Sequence, residues 1–291
     1  MNMHLPLVAS GLLALALSAC ASQPTAPAPA AAAAATRIDP ATGVPEIRAG
    51  VLAGYLPAAQ IPDSMALLPP PPAAGTPAHE LDNAVAAGAW SLRGTPRWQQ
   101  AIVDADLQFP QAASIYTCAL GVEINEQDTP HAYVLLRRLR SDASAVTGKA
   151  KDHYKRPRPF VTNDQDLCTP DARDGLAGNG SYPSGHTSIG WAWALVLAEL
   201  APERSDAILA RGRQYGESRL VCNVHWNSDL VSGRHMASTL VAQLHNDPVF
   251  RRDLAAAREE IAAQRAKGKP LPDRCGEEAA ALAIPLPVPA L

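Results

Sequence analysis

"GNGSYPSGHTSIGWAWALVLAEL", residues 178–200, changes character at its middle. The first half is small and polar, and the second is an apolar run of helix length. His186 stands at the junction, behind Ser184 and Gly185. The first amides of a helix have no partner within it, and the helix dipole is positive at that end. Such a start binds anions, phosphate above all. Gly185 lets the backbone come close to a ligand, Ser184 adds a hydroxyl donor, and His186 faces whatever the amides hold. The same residues also suit a plainer reading, in which Ser184 is only an N-cap and His186 an ordinary surface histidine.

Outward from this helix the punctuation is helical. Thr129-Pro130 opens a helix with Tyr133, Leu136, Leu139 and Ala143 on one face. Asp247-Pro248 opens another, carrying Phe250, Leu254, Ala257 and Ile261. Leu230, Gly233, Ala237, Leu240, Val241 and Leu244 mark a third, and residues 205–215 and 95–107 suit two more. No strand pair joined by a hairpin signal is visible. The expected fold class is all-α, a single multi-helix domain over residues 51–266.

Both flanks differ in composition. Residues 1–20 contain "LPLVASGLLALALSAC", a short apolar run ending in small residues, which reads as a signal peptide. "LSAC" suits lipidation of Cys20, while "ACA" also suits ordinary cleavage after Ala21. Residues 21–50 are rich in alanine and proline, the composition of a linker, and residues 267–291 form a proline-rich tail. Either signal reading exports the chain, to the periplasm or to a lipid anchor facing it. The chain is 291 residues long, 47% hydrophobic and only 5% aromatic, so its core is aliphatic and alanine-rich. Its net charge of −3, with no basic block, argues against nucleic-acid binding.

Two further stretches bear on His186. In "KDHYKRPRPF", Lys151 and Arg158 stand seven apart, and prolines 157 and 159 fix the backbone around the arginine. A rigid guanidinium beside a lysine suits a tetrahedral oxyanion. In "SRLVCNVHWNSD", Arg219 precedes His225, and Asp229 follows four residues later, on the same face if both lie on a helix. A carboxylate on one imidazole nitrogen fixes the tautomer and leaves the other nitrogen as a nucleophile. No C-x-x-C or H-E-x-x-H spacing suggests a metal, and no cofactor is expected.

In order, the three stretches read K-x6-R-P, P-S-G-H and S-R-x5-H-x3-D. Together they resemble the signature of the type 2 phosphatidic acid phosphatase superfamily. "AKDHYKRPRPF", "NGSYPSGHTSIGWAWALVLAE", "DSMALLPPPP" and "NDPVF" are more closely similar to the secreted class A nonspecific bacterial acid phosphatases, across most of residues 63–266. The resemblance implies a metal-independent phosphomonoesterase with an acidic optimum. Lys151, Arg158, Ser184, Gly185 and Arg219 would cradle phosphate, His225 would form a phosphohistidine, Asp229 would orient it, and His186 would be the acid and base. It also implies small-molecule phosphate monoesters as partners and leaves a homo-oligomer open. Two other functions stand beside it: a vanadium-dependent haloperoxidase, whose related site holds vanadate, and a non-catalytic phosphate-binding lipoprotein.

With Cys20 in the signal, Cys118, Cys168, Cys222 and Cys275 remain, and four cysteines allow three connectivities. The resemblance points to shared cysteines at Cys168 and Cys222. That leaves Cys275, beyond the resemblance, with Cys118.

Overall fold

A computed structural model describes residues 37–39, 42–288 and 290, together with Met1 and Met3. Apart from those two methionines, the expected signal peptide, Cys20 and residues 21–36 lie outside the described residues. In chain order the helices are α1 (Ser64–Leu67), α2 (Pro77–Trp90), α3 (Pro96–Val103), α4 (Thr117–Leu120), α5 (Pro130–Ala145), α6 (Gly148–Tyr154) and α7 (Pro159–Asn163). They continue with α8 (Arg173–Ala177), α9 (Gly185–Leu200), α10 (Ser205–Val221), α11 (Asn227–Leu244), α12 (Pro248–Ala266) and α13 (Arg274–Leu282). The fold is all-α, and among the described residues no helix is long and apolar enough to cross a membrane.

Local chemistry explains the helix starts. Thr76, Thr95, Ser184 and Asp247 are N-caps whose side chains accept from an amide three residues on, and proline follows Thr76, Thr95 and Asp247 directly. Helix α9 is the central element, packed against α5, α10, α11 and α12. Its Ile189, Ala192, Trp193, Val196, Leu197 and Leu200 are buried, as sequence periodicity requires of a helix surrounded on most sides. Trp193 donates its indole N–H to the Leu136 carbonyl at 3.0 Å, which pays for burying the one polar atom of that side chain. The seam between α9 and α10 is closed by small residues. A Cβ on Gly190 would lie 2.0 Å from Tyr215 Cδ1, so only glycine admits that ring.

Three short antiparallel strands precede the bundle: β1 (Arg37–Ile38), β2 (Pro45–Arg48) and β3 (Val51–Leu52), in the order β1-β2-β3. Strands of two to four residues are too short to show alternation, so no hairpin signal marks them. β1 and β2 lie inside the stretch expected as linker. The segment after β3 is held to α5 by side chains. Asp142 accepts from the amides of Tyr55 at 2.7 Å and Leu56 at 3.3 Å, and Arg138 donates to the carbonyls of Ala53 and Gly54.

Helix α13 lies inside the proline-rich tail and packs on α3. Cys275 at its start is bonded to Cys118 on α4, with Cα atoms 5.4 Å apart. Glu278 accepts from Arg211 Nε at 3.2 Å, and Leu286 and Val288 pack near Val85 and Ala89 of α2. Cys168 and Cys222 are bonded to each other, with Cα atoms 4.7 Å apart.

Candidate active site

The three sequence stretches reach one place by different routes. Lys151 lies on α6, Arg158 is the N-cap of α7, and Ser184, Gly185 and His186 start α9. Arg219 occupies the last turn of α10, His225 the connection beyond it, and Asp229 the first turn of α11. Pro159 also opens a short helix, at its first position. The Ser184 amide donates to the Asp229 carbonyl at 2.9 Å, which locks the start of α9 to the start of α11. Gly233 makes that approach feasible, since a Cβ there would lie 2.6 Å from the Ser184 oxygen.

His225 is buried, with 2% of its surface exposed. Its Nδ1 is 3.2 Å from Asp229 Oδ2, and its Nε2 is 3.0 Å from Arg158 Nη1. Asp229 accepts and Arg158 donates, so the neutral ring carries its proton on Nδ1 and its lone pair on Nε2. The contact is not made along one helix face, as the four-residue spacing suggested. His225 precedes α11, and Asp229 reaches back over the helix start, its Oδ2 also accepting from the Trp226 amide at 2.9 Å. Burial first, then the charges of Arg158, Lys151 and Arg219, hold the His225 pKa well below the ordinary histidine value.

Ser184 caps α9, accepting from the Thr187 amide at 3.2 Å and from the Thr187 hydroxyl at 2.9 Å. Ser184 is thus an N-cap, and its own hydroxyl proton is still available for donation. Among the described residues nothing accepts from the amides of Gly185 and His186. His186 is half-buried, and its Nε2 lies 3.1 Å from the Ala105 carbonyl, which accepts from it. Burial and then Arg219 push the His186 pKa well down.

The three cations are buried as well. Lys151 donates to the carbonyls of Gly180 at 2.7 Å and Ser181 at 3.4 Å. Burial, then Arg158, bring its pKa down to about 7. Arg158 donates to the carbonyls of Leu176, Asn179 and Val224, and its pKa falls to about 10 through burial and then Arg219. Arg219 is 1% exposed, and its buried Nε has no hydrogen-bond acceptor among the described residues. A buried guanidinium N–H without an acceptor is costly, and an oxyanion would satisfy it. Among the described residues no group of three or more His, Cys, Asp or Glu side chains is placed to hold a metal ion.

Sequence reasoning missed the groups behind Asp229. Asp229 Oδ1 accepts from Arg156 Nη1 at 2.7 Å, and Arg156 Nη2 donates to Asp82 Oδ2 at 2.7 Å. Arg156 sits inside the first stretch, two residues before Arg158, and only its charge could have flagged it. Asp82 lies on α2, which no motif marked. Tyr182, just before the Ser-Gly-His stretch, is buried. Its hydroxyl donates to the Pro69 carbonyl at 2.8 Å and accepts from Ser232, so the "PPPP" segment props the loop before Ser184.

Residues 133–252 match the PAP2 superfamily. The chain is 44% identical over 200 residues to an acid phosphatase of Zymomonas mobilis subsp. mobilis, covering 68% of this chain and 75% of that one. It is 44% identical over 209 residues to a non-specific acid phosphatase of Providencia stuartii, covering 72% and 84%. A non-specific acid phosphatase of Salmonella typhimurium is 40% identical over 200 residues, covering 68% and 80%. The chain belongs to the non-specific acid phosphatases of the PAP2 superfamily. The matched region contains both histidines and all three cations of the site. The N-terminal 36 residues and the tail with α13 lie outside the PAP2 match.

Proposed function

We propose that this chain is an exported acid phosphatase that hydrolyses a broad range of small organic phosphate monoesters through a phosphohistidine, without a metal. One observation carries the reading: His225 is held with its Nε2 lone pair among cations and its Nδ1–H on Asp229.

The chemistry follows from the residues. Lys151, Arg158, Arg219, the Ser184 hydroxyl and the amides of Gly185 and His186 receive the non-bridging oxygens. Fixed donors of this kind stabilise charge in the transition state without reorganising. His225 Nε2 attacks phosphorus, and the P–O bond to the leaving group breaks as the N–P bond forms. His186 gives its proton to the departing oxygen. It then takes a proton from water, whose oxygen attacks phosphorus, and the N–P bond breaks to restore the Nε2 lone pair. Asp229 keeps Nδ1–H in place and stabilises the positive ring in both steps. The depressed pKa of His225 supports an acidic working range, because the nucleophile stays neutral there.

Identity of 38–44% to proteins named acid phosphatases favours the hydrolase over the haloperoxidase. An exported location, with or without a lipid on Cys20, rests on the sequence of residues 1–20, as does any homo-oligomer on family resemblance. The test is a panel of phosphate monoesters, diesters and anhydrides with purified protein, with rapid quench to trap an acid-labile phosphoenzyme. Stoichiometric phosphate binding without turnover would instead support the non-catalytic reading, and bromide oxidation after adding vanadate and peroxide would support the haloperoxidase.

A further inference from the structure

Behind the nucleophile runs a continuous polar chain. His225 Nδ1 meets Asp229 Oδ2 at 3.2 Å, Asp229 Oδ1 meets Arg156 Nη1 at 2.7 Å, and Arg156 Nη2 meets Asp82 Oδ2 at 2.7 Å. Asp82 also accepts from the Ser228 amide at 2.7 Å and from the Ser228 hydroxyl at 2.6 Å. Arg156 Nη1 donates to Ser228 Oγ at 2.8 Å, and its guanidinium lies over the Trp226 ring, 5.3 Å from the centroid. Trp226 in turn donates its indole N–H to the Pro157 carbonyl at 2.9 Å. Asp82 and Asp229 are both 0% exposed.

Arg156 thus differs from the three cradle cations, although it shares their charge. Both of its terminal nitrogens donate to carboxylates, one on each side. Four elements meet on it: α2 through Asp82, the segment before α7, Trp226, and the first turn of α11. We propose that Arg156, clamped by Asp82, is a positioning residue that holds Asp229, and through Asp229 the tautomer and orientation of the His225 ring. This rests on His225 being the nucleophile.

Two consequences follow. First, Asp229 has one oxygen for His225 and one for Arg156, so its carboxylate plane cannot turn without breaking a short charge-assisted bond. Second, Arg156 offsets the carboxylate charge that would otherwise favour protonated His225. The groups facing His225 are then Arg158 from the N-cap of α7, Lys151 from α6, Arg219 from α10, His186 from α9 and Asp229 from α11. Of these only Asp229 favours the protonated ring, and Arg156 tempers it.

The test uses the full chain with Arg156→Gln, Arg156→Lys, Asp82→Asn and His225→Ala, assayed with 4-nitrophenyl phosphate across pH. Arg156→Gln should lower kcat by roughly 10- to 100-fold, the scale of partners that orient a functional imidazole, with KM nearly unchanged. The acid limb of kcat/KM should move up by about one pH unit. Arg156→Lys keeps the charge and should restore the limb but only part of kcat. Asp82→Asn should lower kcat without moving the limb upward, since it removes a negative charge. Circular dichroism checks that each variant folds; if Arg156→Gln does not, Arg156→Lys and Asp82→Asn carry the test. Wild-type kcat in those two, or an unmoved limb in folded Arg156→Gln, overturns the proposal. Retained turnover in His225→Ala overturns the nucleophile reading instead, so the two failures are separable.

Discussion

Arg158 Nη1 lies 3.0 Å from His225 Nε2, so the arginine donates to the lone pair expected to attack phosphorus. The same guanidinium is anchored to the carbonyls of Leu176, Asn179 and Val224. It therefore stays beside the proposed nucleophile, and a phosphate oxygen arriving there would meet a donor already in position.

Arg158→Lys should therefore cost more than a charge-conserving change usually does, because an ammonium cannot span these acceptors and the phosphate together. We expect kcat/KM to fall roughly 100- to 1,000-fold, the scale of losing a pre-aimed transition-state donor. Inhibition by vanadate should weaken in parallel. Steady-state kinetics of the purified variant decides it, and a loss under threefold would rule the contact unimportant.

His186 leads to a leaving-group test. His186→Ala should slow hydrolysis of alkyl phosphates far more than that of 4-nitrophenyl phosphate, because a basic alkoxide needs the proton most. The Ala105 carbonyl accepts from Nε2 in this structure. Equal losses across a leaving-group series would remove His186 from the acid role.

The pH profile has a definite sign. Burial and neighbouring cations hold both histidines below the ordinary value in the free enzyme. A bound phosphate brings negative charge, which favours the protonated rings, so the limbs of kcat should lie at higher pH than those of kcat/KM. Lys151 titrates at about 7, so it loses its charge as pH rises through neutrality and KM should climb there. Lys151→Met should flatten that climb. A chelator should leave activity unchanged in all of these assays.

Asp142 links pH to stability rather than to turnover. Burial raises its pKa from 3.8 to about 6, against the lowering effect of the Tyr55 and Leu56 amides. A carboxyl whose folded pKa lies above its unfolded value binds more protons when folded. Its contribution is complete below the unfolded value and is lost as pH rises through about 6. Thermal melts should show the wild type losing more Tm than Asp142→Asn between pH 4 and pH 7, in assay steps chosen around those values.

The Cys118–Cys275 bond closes a separation of 157 residues and ties the tail helix to α4. Replacing both cysteines by serine should cost about 2–4 kcal/mol by urea denaturation. Non-reducing peptide mapping should recover Cys118 with Cys275 and Cys168 with Cys222. Four alkylatable thiols would refute both bonds.

Some helix starts were legible from a capping side chain followed by an apolar face, although Thr76 caps α2 in the same way and was passed over. Thr95, Ser184 and Asp247 each cap within three residues, and buried faces such as Phe250, Leu254, Ala257 and Ile261 repeat at helical spacing. Helix α2, the three short strands and α13 were not read. Their stability comes from distant partners, Asp82 with Arg156, Asp142 with residues 55 and 56, and Glu278 with Arg211. Local pattern carries no trace of such pairs.

The sequence by itself brought forward the candidate groups of the site, because three spaced stretches each carry residues of specific chemistry. It also placed Ser-Gly-His at a helix start, since capping is decided within one turn. Which arginine does what was decided only by tertiary structure. Arg156 and Arg158 stand two apart in "KRPRP", with the same side chain and the same charge. The extended backbone at Arg158, the N-cap of α7, accompanies the divergence of the two. One guanidinium meets His225 and the other meets Asp229 and Asp82, partners 67, 73 and 74 residues away. Only the packing of α2, α10 and α11 brings those partners within hydrogen-bond distance.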